Sequence, residues 1–99
     1  MSKPEKLAQI ISKLDKVKNL TDAQVVPKVC NEVLAELPLL ITDEEILKDI
    51  QKKLNPQPLM DNWETYQKSK HNYDMADVKE SGDALLFNIK EVITMLKKL

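Results

Sequence analysis

Arginine is absent from this chain of 99 residues, and glycine, cysteine and histidine each occur once. Arginine is the residue that usually makes the bidentate contacts with phosphate groups and guanine edges, so its absence argues against such recognition. The 15 lysines are spread along the sequence and form no basic stripe of the kind that binds nucleic acids. The composition therefore predicts no nucleic-acid partner.

Other scarcities limit the fold and the cellular location. A single glycine and an aromatic content of 4% are too low for the turns and strands of an all-β protein. Cys30 cannot form an internal disulfide, and its neighbours Val29 and Val33 predict a buried structural thiol. No apolar run approaches the length of a membrane helix, and the first residues lack the apolar core of a signal peptide. We therefore expect no membrane span and a cytoplasmic location.

Helical periodicity is what the sequence does contain. Three capping boxes, which begin at Ser2, Thr21 and Thr42, each precede apolar residues spaced three and four apart. The first helix is predicted to end near Leu20. In the second, Pro27 indicates either a restart or a kink, and Pro38 ends the helix by forcing residue 37 out of the helical region.

The segment after the third helix carries weaker signals. Asn55-Pro56-Gln57-Pro58 predicts the end of that helix and a stiff link. Asp61 begins a further cap-like pattern, so we expect a short helix and then a polar loop around His71. We interpret this histidine as a surface residue, because it lacks the sequence context of a phosphotransfer histidine.

The C-terminal helix has the strongest pattern. Its apolar residues fit the a and d positions of a heptad: Met75, Val78, Gly82, Leu85, Ile89, Val92, Leu96 and Leu99. Gly82 within this stripe predicts either a close backbone approach or a break in the helix. Together the patterns predict an all-α fold, a compact bundle of four to five helices with a long amphipathic C-terminal helix, in a single domain over residues 1–99. A homodimer through the C-terminal helix is one possible assembly.

One acidic pair raises the question of a metal site. Glu80 and Asp83 are three residues apart, so their carboxylates are neighbours on a helix and have the oxygen chemistry that Mg²⁺ prefers. Residues 80–87 resemble the ExxD helix of the MazG-type all-α nucleoside triphosphate pyrophosphohydrolases. That resemblance implies a magnesium-dependent enzyme, with Glu80 and Asp83 among its ligands.

The second acidic helix of that family has no full match here. The family pattern is EExxE. After Glu32, Val33 occupies the position of the second acid, and after Glu44-Glu45, Lys48 occupies the position of the last acid. Glu80 also falls opposite the apolar stripe at 100° per residue. We therefore favour a solvated acidic ridge, whose charges suit the first half of a helix. No catalytic residue, metal or cofactor is predicted.

Three of the four aromatic residues, Trp63, Tyr66 and Tyr73, fall within eleven positions. They predict either a lid packed over the end of the bundle or a surface for a protein partner, because Trp and Tyr are enriched in interfaces. We take them as the candidate interaction residues. The sequence thus predicts a small non-enzymatic interaction module that binds a protein partner: a regulator, an immunity- or inhibitor-type protein, or a subunit. The alternative is a divergent or inactive MazG-like pyrophosphohydrolase.

Overall fold

The computed structural model describes residues 2–20, 22–69 and 75–99, and in these ranges it contains helices and no strands. The α-helices are α1 (Lys3–Val17), α2 (Val25–Glu36), α3 (Glu44–Lys53), α4 (Gln57–Ser69) and α5 (Ala76–Lys97). A single 3-10 turn, Leu37–Leu39, follows α2. The predicted all-α fold of four to five helices is therefore confirmed.

Short polar side chains begin several of these helices, although one predicted cap was wrong by one residue. Ser2 caps α1 as predicted, because its hydroxyl accepts from the amide of Glu5. For α3 the cap is Asp43 and not Thr42: the Asp43 carboxylate accepts from the amides of residues 45 and 46, at 3.0 and 3.2 Å. Aspartate is the stronger N-cap residue of the two. The α2 cap predicted at Thr21 lies outside the described residues.

The prolines act at the ends of helices. Pro27 is the third residue of α2, where the backbone nitrogen has no acceptor within the helix, so the helix begins before the proline and continues through it without a restart. At Pro38 the prediction that residue 37 leaves the helical region was wrong, because Leu37 has φ −58° and ψ −40°. The chain instead tightens into the 3-10 turn, in which the amide of Leu40 donates to the carbonyl of Leu37 at 2.9 Å.

The stiff link predicted over residues 55–58 is shorter than expected. α4 already begins at Gln57, whose amide donates to Asn55 Oδ1 at 3.1 Å. Pro58 occupies the second position of the helix, where a proline is tolerated. The cap expected at Asp61 is therefore wrong, and Asp61 lies inside α4. The loop predicted around His71 falls outside the described residues.

The helices run up, down, up and down around one core. Glu36, at the end of α2, lies near Lys6 and Gln9 in the first half of α1, whereas Val26, at the start of α2, lies near Leu20, so these two helices are antiparallel. α3 and α4 both run antiparallel to α5. Asp43 lies near Leu96 and Lys53 contacts Glu91 at 3.5 Å, whereas Pro58 lies near Leu85 and Asn62 contacts Ser81 at 3.1 Å. The third position of the bundle is thus occupied by two helices, α3 and α4, which lie end to end along α5.

The buried stripe of α5 provides much of the core. Its buried members are Val78, Leu85, Ile89, Val92, Ile93 and Leu96. They join one apolar cluster that takes side chains from all five helices. The predicted stripe is confirmed over these positions, whereas its two ends, Met75 and Leu99, are exposed. Of the two alternatives at Gly82, the break does not occur, because α5 continues through this position without interruption.

Candidate functional site

The acidic pair predicted from the sequence lies on the solvent side of α5. Glu80 and Asp83 are both exposed. Within residues 2–20, 22–69 and 75–99, no three His, Cys, Asp or Glu side chains come together as a possible metal site. Glu36, from the nearest match to the missing EExxE motif, is instead paired with Lys13. The geometry of the described residues therefore adds no ligand to the pair.

The aromatic residues are partly built into the bundle. Trp63 and Tyr66 stack on each other, with ring centroids 5.7 Å apart and an angle of 24° between the rings. Both are half-buried and pack against the core. This packing favours the lid interpretation for these two residues. Tyr73, the third predicted interaction residue, lies outside the described residues.

Trp63 also faces a wide, open groove between α2 and α4, together with Pro27, Lys28 and Met60. We call Met60, Trp63 and Tyr66 the aromatic surface. The indole Nε1 of Trp63 is buried and has no acceptor within hydrogen-bonding distance in the described part of the chain. An unsatisfied buried donor of this type costs about 1–3 kcal/mol. The aromatic surface therefore contains one donor that the rest of the fold does not use.

A polar seam fixes α4 against α5. Asn62 Nδ2 donates to Ser81 Oγ at 3.1 Å and to the carbonyl of Asp77 at 3.2 Å. The Ser81 hydroxyl donates in turn to the same carbonyl at 2.8 Å. Because these bonds connect side chains to the backbone of the neighbouring helix, they set the register of the pair. One consequence is that Leu59, one turn earlier on α4, lies opposite Gly82.

A second and more apolar depression opens beside this seam. We call it the apolar groove, and its volume is about 280 Å³. Its apolar walls are formed by Leu20, Val26, Leu59, Met75, Val78, Gly82 and Leu86, and Asp22, Lys79 and Asp83 surround it. Leu20 and Met75 are 41% and 44% exposed, so apolar side chains at the edge of the groove remain in contact with water.

Four segments create this groove: the connection between α1 and α2, α2 itself at Val26, α4 and α5. Leu20 comes from the connection between α1 and α2, which a bond from the Leu20 amide to the carbonyl of Val17 holds at 3.0 Å. Leu59 comes from α4, and the α5 wall is low at Gly82 because glycine has no side chain. A Cβ atom at position 82 would lie 3.7 Å from Leu59 Cδ1, which leaves space for it. Sequence analysis missed the groove because its members have the same periodicity as core residues.

The thiol of Cys30 is shielded from solvent. Cys30 is fully buried in α2, and burial raises the pKa of its thiol to about 12. A thiol that stays protonated is a poor nucleophile and a poor metal ligand. The predicted buried thiol is therefore confirmed by its position.

Comparison with known protein families, with curated proteins and with solved structures found no match for this chain. Among the described helices, none is both long and apolar enough to cross a lipid bilayer. Any functional inference therefore depends on the surfaces of the bundle itself.

Proposed function

We propose that this protein is a non-enzymatic interaction module whose apolar groove binds a helix of a partner protein. The observation that carries the proposal is the groove itself, with Leu20 and Met75 half-exposed at its edge. Exposed apolar side chains that adjoin one another mark interaction sites more often than isolated ones do. The seam between Asn62 and Ser81 supports the proposal, because it holds two of the groove walls in a fixed register.

The dimensions of the groove suit a helix. From Met75, which precedes α5, to Leu86, the wall covers 12 residues, and the 11 steps between them span about 16 Å at 1.5 Å per residue, or three helical turns. A partner helix of that length presents apolar side chains at i, i+3 or i+4, and i+7 along one side. At about 280 Å³ the groove lies at the lower limit of the roughly 300–1,000 Å³ of most small-molecule pockets. Its volume suits a few inserted side chains better than a cofactor.

The charged residues around the groove indicate which charge the partner helix should carry. Two of the three charged residues there, Asp22 and Asp83, are acidic, and Lys79 is the third. The Asp22 carboxylate accepts hydrogen bonds from the amides of Gln24 and Val25, and these bonds lower its pKa. Asp22 therefore remains ionised at neutral pH. We infer that the partner helix carries a basic residue beside its apolar anchors, because opposite charges across an interface favour association.

The aromatic surface is the alternative location for the same function. The sequence predicts Trp63, Tyr66 and Tyr73 as interaction residues, and this stays a prediction. The partly exposed Met60 supports it, while the half-burial of both described rings and the burial of Trp63 Nε1 support a structural role. The two surfaces can be separated by experiment, because each contains one partly exposed methionine.

Met75→Gln and Met60→Gln form a matched pair of variants. The two methionines are 44% and 37% exposed, and each substitution places an amide in one surface and leaves the other unchanged. A partner is first captured with the unaltered protein from cells that produce it, and its affinity for both variants is then measured by calorimetry. We expect Met75→Gln to weaken binding at least about tenfold, a change of 1.4 kcal/mol. Met60→Gln should change the affinity by less than about threefold.

Leu39→Ser serves as a control, because Leu39 is 80% exposed and lies outside both surfaces. If Met60→Gln weakens binding and Met75→Gln does not, the aromatic surface is the binding site. If neither variant affects any captured partner, the proposal of a groove-binding module is wrong.

The pyrophosphohydrolase alternative and the cytoplasmic location both stay predictions. The protein, with Mg²⁺ and each of the common nucleoside triphosphates, is the direct assay for the enzyme. Pyrophosphate release that Asp83→Asn abolishes would replace the interaction module with the enzyme. We expect no release above that of the buffer.

A further inference from the structure

The outer face of α5 offers a second surface, which shares Asp83 with the edge of the groove. Phe87 is 62% exposed, lies near the middle of the helix Ala76–Lys97, and points away from the buried stripe. Its neighbours one turn away include Asp83 and Lys90, which are also exposed. We call Glu80, Asp83, Phe87 and Lys90 the outer face. An aromatic ring at the centre of a charged helix face leaves apolar area in water that an interface would remove.

Ion pairing within the described residues leaves the two charges next to Phe87 available. Lysine and acidic side chains form ion pairs elsewhere on the surface, such as Lys53 with Glu91 at 3.5 Å. Neither Asp83 nor Lys90 takes part in an ion pair in the described ranges. Acid and base therefore flank the ring on the same side of the helix, seven residues and only about 20° apart.

The charges on either side of Phe87 are self-complementary when two copies of α5 lie antiparallel. Asp83 precedes Phe87 by about 6 Å along the axis, and Lys90 follows it by about 4.5 Å. When two copies of α5 lie antiparallel with their Phe87 rings at the two-fold axis, Asp83 of each copy comes beside Lys90 of the other. In a parallel pair Asp83 would face Asp83, and Lys90 would face Lys90. We propose that a second copy of this chain binds to the outer face, with the two α5 helices antiparallel and Phe87 at the centre.

The other flank of the helix is compatible with this arrangement. Glu80 of one copy would lie near Glu91 of the other, but Lys53 already balances the charge of Glu91 at 3.5 Å. Ala84, one turn before Phe87, is small and exposed, so it leaves space for the ring of the second copy. A contact that uses a single helix from each copy falls in the smallest class of interfaces, below about 1,200 Å². The dimer is therefore weak, with a dissociation constant of roughly 10 µM to 1 mM.

Sedimentation equilibrium between about 10 µM and 1 mM protein, the range of the expected dissociation constant, measures the association directly. We expect a monomer–dimer equilibrium that Phe87→Ser abolishes and that added salt weakens, because the flanking charges are exposed. Leu39→Ser removes a more exposed leucine from another part of the surface and should leave the equilibrium unchanged. Circular dichroism confirms that each variant keeps its helix content.

A charge exchange tests the antiparallel register. Asp83→Lys and Lys90→Asp each create two like-charge contacts across the two-fold axis, so each should weaken the dimer at least about tenfold. The double variant restores opposite charges and should return the constant to within about threefold of the original. A monomer throughout the concentration range, or a dimer that Phe87→Ser leaves intact, would overturn the proposal. A double variant as weak as the single ones would overturn the antiparallel register.

Discussion

Gly82→Ala should stabilise this protein, although Gly82 lies within the apolar stripe of its longest helix. Glycine in the interior of a helix costs about 1 kcal/mol relative to alanine. The added Cβ would lie 3.7 Å from Leu59 Cδ1, an ordinary contact, so no neighbour has to move. The half-buried methyl group adds a gain below the roughly 0.8 kcal/mol of a fully buried methylene. We expect a total of about 1–1.5 kcal/mol, the sum of these two contributions.

Urea unfolding followed by circular dichroism measures this change as a higher midpoint with an unchanged slope. A domain of this size should also melt about 4–8 °C higher for each kcal/mol gained. Ala84→Gly is the matched control, because Ala84 is exposed on the same helix and its substitution measures the backbone contribution alone. If Ala84→Gly costs about 1 kcal/mol and Gly82→Ala gains nothing, α4 and α5 pack too closely at this point for a methyl group, and the reasoning fails.

Gly82→Ala also bears on the groove. Position 82 lines the groove, so a methyl group there raises the α5 wall. A variant that is more stable but binds the captured partner more weakly would show that the glycine serves the groove at the expense of helix stability.

Three further predictions concern the core, the thiol and one helix cap. Ile89→Ala, at a fully buried position, should lower the free energy of unfolding by about 2–5 kcal/mol in urea melts, and a change below about 0.5 kcal/mol would contradict its place in the core. Cys30 should react with a thiol reagent only after unfolding, because burial raises its pKa to about 12; rapid labelling of the native protein would contradict this. The backbone amides of Gln24 and Val25 hold the pKa of Asp22 below its usual value of 3.8, so the native state loses this stabilisation as the pH falls through that lowered pKa. Asp22→Asn should therefore show a shallower loss of stability in acid than the unaltered protein, and identical acid profiles would refute the role of the cap.

The fold class follows from the sequence because its signals are local. Apolar residues three and four apart place one stripe on each helix, and this stripe must be buried whatever the neighbours are. The cap at Ser2 and the apolar stripe of α5 are two such local signals, and both were predicted correctly. Helix ends were less certain, since adjacent residues compete for the same role. At residues 42 and 43 either side chain could cap the helix, and the carboxylate of Asp43 does so. At Pro58 a residue expected in a link instead lies in the first turn of α4.

The surfaces depend on tertiary structure. Leu20, Leu59 and Met75 are far apart in the sequence, and each alone has the pattern of a core residue. They line a groove only because the bond from Asn62 to Ser81 sets the register of α4 on α5 and because Gly82 leaves one wall low. The outer face of α5, in contrast to the groove, does not depend on contacts between helices. Its charged residues and Phe87 all belong to one helix, so their order can be read from the sequence. Helical periodicity determines which side of a helix is apolar, whereas contacts between distant helices decide which apolar side chains remain in reach of a partner.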